Sequence, residues 1–189
     1  MRLVLLGAPG SGKGTQSTFL ARHFNAPHVS SGELMREHMA SGSELGRRIA
    51  TYVSAGELVP DDLVLAIVGD AIRAGEASQG YILDGFPRTV AQAEQAFTLA
   101  SPHGLTADAV VYLDLPDDLA RARLTGRAEG RSDDSDPSIV ERRLAVYHES
   151  TQPLLDFYRR RGLLVTVDAS RSVGDVSRAI IDALERRPA

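Results

Sequence analysis

"LLGAPGSGKGTQ", residues 5–16 of a chain of 189, decides the fold. From Gly7 to Lys13 it reads G-x-x-x-x-G-K, the frame of a loop that holds phosphate oxygens on backbone N–H groups at a helix N-terminus. After the lysine, where that frame expects Ser or Thr, stands Gly14, and the hydroxyl follows one residue later at Thr15. Such a loop needs a strand before it and a helix after it. "RLVLLG" is an apolar run closed by glycine, as in a buried parallel strand. Lys13 to about His23 then reads as a helix, with Phe19, Leu20 and Phe24 among its apolar positions. A glycine-rich turn with no ligand is the alternative, and the strand–loop–helix context weighs against it.

Composition supports a local phosphate site over a broad polyanion surface. The formal net charge is −4, whereas a nucleic-acid partner usually needs an extended basic face. Of the 21 basic residues, the only lysine is Lys13. Arginine serves everywhere else, so position 13 needs a compact ammonium on a flexible stem that can fold along the loop. The length suits one domain, and 43% hydrophobic with 24% charged residues is ordinary for a globular protein. There is no cysteine, hence no disulfide framework and no thiolate metal site. The short apolar start breaks into glycines at once and no membrane-length run occurs, so a cytoplasmic protein with no membrane partner is expected.

Outward from the loop, strands and helices alternate. "PHVSSGELMREHM" suggests a brief strand and then a helix starting near Ser31 or Gly32; "ELGRRIATYVSAG" suggests a helix ended by Gly56. Leu63, Ile67 and Ala71 keep helical spacing from Asp61 to Ala74, with Asp61 and Asp62 suited to the N-terminal dipole. "YILDG", "AVVYLDLP" and "LLVTVDAS" read as further strands, and Val173 to Leu184 as an amphipathic last helix. The alternation predicts an α/β fold with a parallel sheet covered on both faces.

A second motif, "LDGFPRT", puts Asp84 at the end of an apolar strand, where open α/β sheets build their sites. A carboxylate there can orient Mg²⁺, usually through water. Arg88 follows in a Gly-Phe-Pro turn that fixes its direction. By themselves, Asp84 could equally cap a helix and Arg88 face solvent.

Together "GAPGSGKGTQ", "SSGELMR", "LDGFPRTVAQ" and "GRSDD" resemble the adenylate kinases of the nucleoside monophosphate kinase family. That family's loop is G-x-P-G-x-G-K-G-T, so Gly14 before Thr15 is its own version of the motif. The resemblance covers nearly the whole chain and implies a P-loop fold with a five-stranded parallel sheet flanked by helices. It also implies a single domain, with core residues 1–29, 60–125 and 137–189, a monophosphate-binding insert at 30–59 and a short lid at 126–136.

The resemblance implies residue roles as well. Gly10, Ser11, Gly12, Lys13, Gly14 and Thr15 would surround the ATP phosphates, with Lys13 reaching the transferred group. Ser31 and Arg36 match contacts to AMP, and Glu57, Leu58 and Val59 match a wall of its base pocket. Gly85, Phe86, Pro87 and Arg88 would hold the AMP phosphate and sugar, and Gln92 would read the adenine edge. Arg127 would lie along the ATP adenine, while Arg123, Arg131 and Arg143 join Arg88 around the phosphates. Arg171 falls where a glycine often touches that adenine through its backbone, Ser31 replaces the commoner Thr, and Glu33 stands where Asp is usual. A lid without cysteines cannot be the zinc-bearing kind, and the cofactor that the resemblance implies is Mg²⁺ with ATP.

The implied reaction is reversible, Mg²⁺-dependent phosphoryl transfer from ATP to AMP giving two ADP. Transfer is in line between two bound nucleotides under a closing lid, and the role is adenine nucleotide homeostasis by a monomer. AMP phosphate is already a nucleophile, so positioning and charge neutralisation suffice. The histidines, His23, His28, His38, His103 and His148, stand outside the motifs. A sister kinase acting on UMP or CMP is one rival, against which stand Thr89 and Gln92. A GTPase-type switch or nucleotide sensor is the other; a guanine-reading N-K-x-D segment is impossible when Lys13 is the only lysine.

Overall fold

A computed structural model describes residues 1–78, 80–126 and 136–187. β1 (Arg2–Gly7) leads through the glycine loop into α1 (Lys13–Phe24), followed by β2 (His28–Ser30), α2 (Ser31–Ala40), α3 (Glu44–Ser54) and α4 (Asp61–Ser78). Then come β3 (Tyr81–Asp84), α5 (Val90–Ala100), a 3-10 turn (Ser101–His103), β4 (Ala109–Asp114) and α6 (Asp117–Thr125). After the next described residues, α7 (Pro137–Val146) widens into one π-type turn (Tyr147–Thr151). α8 (Pro153–Arg159), β5 (Leu164–Asp168) and α9 (Val173–Glu185) complete the described chain.

The strands form one five-stranded sheet in the order β2-β3-β1-β4-β5, every pairing parallel. Side chains alternate across it because successive Cβ atoms of a strand point to opposite faces. Leu3, Leu5, Ile82, Val111 and Leu113 go to one face, where Leu20 of α1 and Ile180 of α9 meet them. Val4, Leu6, Leu83 and Val110 go to the other, against Ile49 of α3, Val68 of α4 and Leu154 and Phe157 of α8. Cover on both faces is why the strands read as continuous apolar runs. Among the described residues no helix is long and apolar enough to cross a membrane.

Phe19, one of the apolar positions of α1, is 41% exposed and stacks on His23 with ring centroids 6.2 Å apart. α1 is fixed instead by Leu20 and by buried Gln16, whose Nε2 donates to the Val173 carbonyl while its Oε1 accepts from Ser177 Oγ. The helix at Asp61 runs on past Ala74 to Ser78.

Parallel register aligns the carboxyl ends of the strands. Leu5 and Ser30 both pair with Asp84, and Gly7 pairs with Leu113. This is the edge where open α/β sheets bind ligands. The glycine loop lies close against α6: a Cβ added at Gly10, whose φ is +84°, would stand 2.7 Å from the Ala120 carbonyl oxygen.

Candidate active site

The loop after β1 curls so that Ser11 N–H donates to the Ala8 carbonyl at 3.1 Å, and Gly12 takes φ +93° as the N-cap of α1. Lys13, first residue of that helix, folds back along the loop. Its Nζ donates to the carbonyls of Gly7 at 2.7 Å and Ala8 at 2.9 Å. The helix N-terminus and its ammonium therefore share one mouth, which favours anions.

Asp84 closes β3, 8% exposed, and its Oδ2 lies 3.7 Å from where a Cβ on Gly14 would be. Among the described residues no group of three or more acidic or histidine side chains could hold a metal ion. One buried carboxylate at the loop, near Thr15, instead suits a hydrated cation such as Mg²⁺, which takes one or two carboxylates together with phosphate oxygens. A neighbour not foreseen is His28. It lies outside the motifs in sequence, yet β2 pairs with β3 and brings His28 Nε2 within 4.0 Å of Asp84 Oδ2.

The turn after β3 aims Arg88 inward. Its Nε donates to the Gly85 carbonyl at 2.8 Å. Burial lowers its pKa from the ordinary arginine value, the charge of Asp84 opposes that shift, and the charge of Arg143 reinforces it. Two cations thus converge beside one carboxylate, a field that favours a bound polyanion. Ser31 packs against the same turn, fully buried, its hydroxyl without a hydrogen-bond partner, and a Cβ on Gly85 would stand 2.6 Å from that oxygen.

α5 begins with Thr89 as its cap, the Gln92 N–H donating to Thr89 Oγ1 at 3.1 Å. The T-x-x-Q spacing is that of a capping box. Here, though, Gln92 Oε1 accepts from the Arg88 N–H at 2.7 Å, one residue before the cap, and Gln92 Nε2 donates to Asp61 Oδ1 at 2.6 Å. Asp61, expected only to complement the dipole of α4, is a partner of the site.

One cleft of about 1180 Å³ joins these groups. Gly10, Gly12, Lys13, Gly14 and Thr15 line one part of it. Arg36, Glu57, Leu58, Val59, Asp84, Gly85, Pro87, Arg88, Gln92 and Arg143 line the rest. Ser11, Ser31 and Phe86 are buried beneath it. Arg123 and Arg171 sit apart from its walls, at the β5–α9 corner. Arg123 donates to the Ser170 carbonyl at 3.4 Å and Arg171 pairs with Asp168 at 3.0 Å. Arg127 and Arg131 lie outside the described residues, as does most of the expected lid. The helices flanking it, α6 and α7, are bracketed by Arg121 with Glu141, and His148 of the π-type turn contacts Asp117 at 2.8 Å.

A family model described as adenylate kinase matches residues 5–163, which include both the glycine loop and the Gly85–Arg88 turn. The adenylate kinase of Xanthomonas oryzae pv. oryzae is 46% identical over 188 residues, covering 98% of this chain and 100% of that protein. That of Streptomyces griseus subsp. griseus is 37% identical over 214 aligned positions, covering 98% of each chain. That of Caldicellulosiruptor bescii is 37% identical over 213, covering 97% of this chain and 99% of its own. Likeness at this level runs through both parts of the cleft, and the chain belongs to the adenylate kinase family of phosphotransferase enzymes.

Proposed function

We propose that this enzyme transfers the terminal phosphoryl group of ATP reversibly to AMP, giving two ADP, with Mg²⁺ on the ATP phosphates. The observation that carries this reading is the single cleft, with the phosphate loop and Lys13 in one part and Arg36, Arg88 and Gln92 in the other. At about 1180 Å³ it exceeds the roughly 300–1,000 Å³ of a pocket for one drug-sized ligand, as two nucleotides require.

In this mechanism the loop N–H groups from Gly10 to Thr15 hold the ATP phosphates, and Lys13 exchanges its carbonyl contacts for the transferring group. Arg88, with Arg36 and Arg143, holds the AMP phosphate in line with it. No base is needed, because that phosphate is already anionic; catalysis consists of alignment and of cations placed where charge spreads. Asp84, acting through water, would help hold Mg²⁺ beside the ATP phosphates, and the ion would supply further neutralisation of that charge.

Gln92 reads the adenine of AMP, Ser31 supports the nucleotide, and Glu57 to Val59 wall the base pocket. Residues 30–59 form the AMP-binding insert and 126–136 the lid, against a core of 1–29, 60–125 and 137–189. Lid closure brings Arg127 and Arg131 to the ATP side, where Arg123 of α6 joins the phosphate-binding arginines, and excludes water, whose attack would hydrolyse ATP. The backbone at Arg171 borders the ATP adenine, and the enzyme acts as a cytoplasmic monomer in adenine nucleotide balance.

The test is a product assay with ATP and Mg²⁺ against AMP, CMP, UMP and GMP in parallel. ADP formation strongly favouring AMP is expected. Preference for CMP or UMP would keep the mechanism and overturn the base assignment, whereas no product with any acceptor would refute the reading as a whole.

A further inference from the structure

A glutamine side chain by itself does not distinguish adenine from a 6-oxopurine. Adenine presents a donor at N6 and an acceptor at N1; hypoxanthine and guanine present an acceptor at O6 and a donor at N1. An amide carries one carbonyl oxygen and one NH₂ group, so it can pair with either edge by turning over. Discrimination requires that something forbid the turn.

In this chain two groups forbid it. The Arg88 backbone N–H can only donate, and it lies 2.7 Å from Gln92 Oε1. The Asp61 carboxylate, when ionised, can only accept, and its Oδ1 lies 2.6 Å from Gln92 Nε2. The backbone at Gln92 is pinned as well, through its N–H to Thr89 Oγ1. A turned amide would set its oxygen against the carboxylate and its NH₂ against an N–H, at a residue only 1% exposed.

We infer that Asp61 is a positioning residue for base specificity: together with the Arg88 N–H it locks the Gln92 amide in the one orientation that matches adenine. This rests on the reading that Gln92 faces the base of the acceptor nucleotide. The locked amide keeps one lone pair on Oε1 and one hydrogen on Nε2 for the ligand. Adenine satisfies both, N6–H donating to Oε1 and Nε2–H donating to N1. A 6-oxopurine meets oxygen with oxygen and hydrogen with hydrogen. Asp61 and Gln92 are brought together across 31 positions of sequence by the packing of α4 on α5.

Asp61→Asn separates orientation from packing. Its side chain has the same shape, and its own amide can turn together with that of Gln92, accepting in one state and donating in the other. The half of the lock that Asp61 supplies is then lost while the hydrogen bond survives. The substrates are AMP and IMP, which share every atom of the purine frame except the 6-substituent and the N1 hydrogen.

Losing the preference of one charged hydrogen bond should lower the ratio of kcat/KM for AMP to that for IMP by roughly tenfold or more. Most of the change should be a gain with IMP, and KM for ATP should hold. Asp61→Ala should lower the ratio too, with a larger loss on AMP because Nε2 is left without a partner. Thermal melting of each variant checks that it is folded, and the ratio cancels any general loss of activity. Gln92→Ala serves as the reference. If Asp61→Asn keeps the parent ratio within twofold while Gln92→Ala changes it, the lock is refuted and the base-reading role of Gln92 stands. If Gln92→Ala also leaves the ratio unchanged, the underlying assignment of the base to Gln92 is wrong.

Discussion

Gly10→Ala is a perturbation whose size can be worked out from contacts. Gly10 has φ +84°, a conformation that costs an L residue roughly 1–2 kcal/mol. An added Cβ would also stand 2.7 Å from the Ala120 carbonyl oxygen and 3.2 Å from Leu124 Cγ. The first of these is backbone inside α6 and cannot rotate away, so the loop or the helix must shift. Overpacking of that kind adds about 1–3 kcal/mol, for a total of about 2–5 kcal/mol.

Gly104 supplies the control. Its φ is +65°, but nothing lies within 4 Å of its added Cβ, so Gly104→Ala carries the backbone term alone. A protein of this size loses about 2–4 °C of melting temperature per kcal/mol. Gly104→Ala should therefore lower Tm by about 2–8 °C and Gly10→Ala by about 4–20 °C. Calorimetry or thermal circular dichroism reads both. Because Gly10 also shapes the loop, KM for ATP should rise in Gly10→Ala and stay constant in Gly104→Ala. Equal melting losses in the two variants would refute the claim that close approach of the loop to α6 is why glycine stands at position 10.

Lys13→Met should leave the fold intact and lower kcat by about 10²–10³-fold, the cost of removing one donor aimed at developing charge, as read by steady-state ADP formation. A smaller loss than tenfold would remove Lys13 from the chemistry. His148→Gln tests the bracket between α6 and the π-type turn. The pKa of His148 is raised from 6.5, first by its hydrogen bond with Gln152, against desolvation and with help from Asp117. A raised folded pKa means that the stabilisation is full below the unfolded value and fades as pH rises through the folded one. The melting-temperature advantage of the parent over His148→Gln should therefore be largest below pH 6.5 and shrink above it. The opposite trend would show that the protonated imidazole is not what holds the bracket.

Signals confined to a short window of sequence are legible, and contacts made by packing are not. The strands were legible because both faces of the sheet are covered, which turns each into an apolar run such as "RLVLLG" or "AVVYLDLP". The loop was legible because its function requires glycines and a lysine at fixed spacing. The alternation read from the sequence leaves out α5, α6, α7 and α8. Thr89 with Gln92 and Asp136 with Pro137 are cap signals for α5 and α7. α8, seven residues beginning at Pro153, is too short to show a period.

That Phe19 faces solvent while Leu20 is buried is not legible in the sequence, because apolar character alone does not say which face of α1 meets the sheet. Asp61 beside Gln92 and His28 beside Asp84 are products of tertiary packing. Asp61 looked complete as a dipole partner of α4, and His28 looked idle between two motifs. Neither contact leaves a mark within a window of sequence.

The central claim is that one cleft holds donor and acceptor nucleotides together and passes phosphoryl directly between them. Phosphorus NMR of the enzyme with ATP, AMP and Mg²⁺ tests it most directly by following every phosphorus species at once. The account predicts two ADP for each ATP consumed, approach to the same equilibrium from ADP alone, and no inorganic phosphate beyond the uncatalysed background. Inorganic phosphate accumulating in step with ATP loss would contradict it, since water would then be the acceptor in place of AMP.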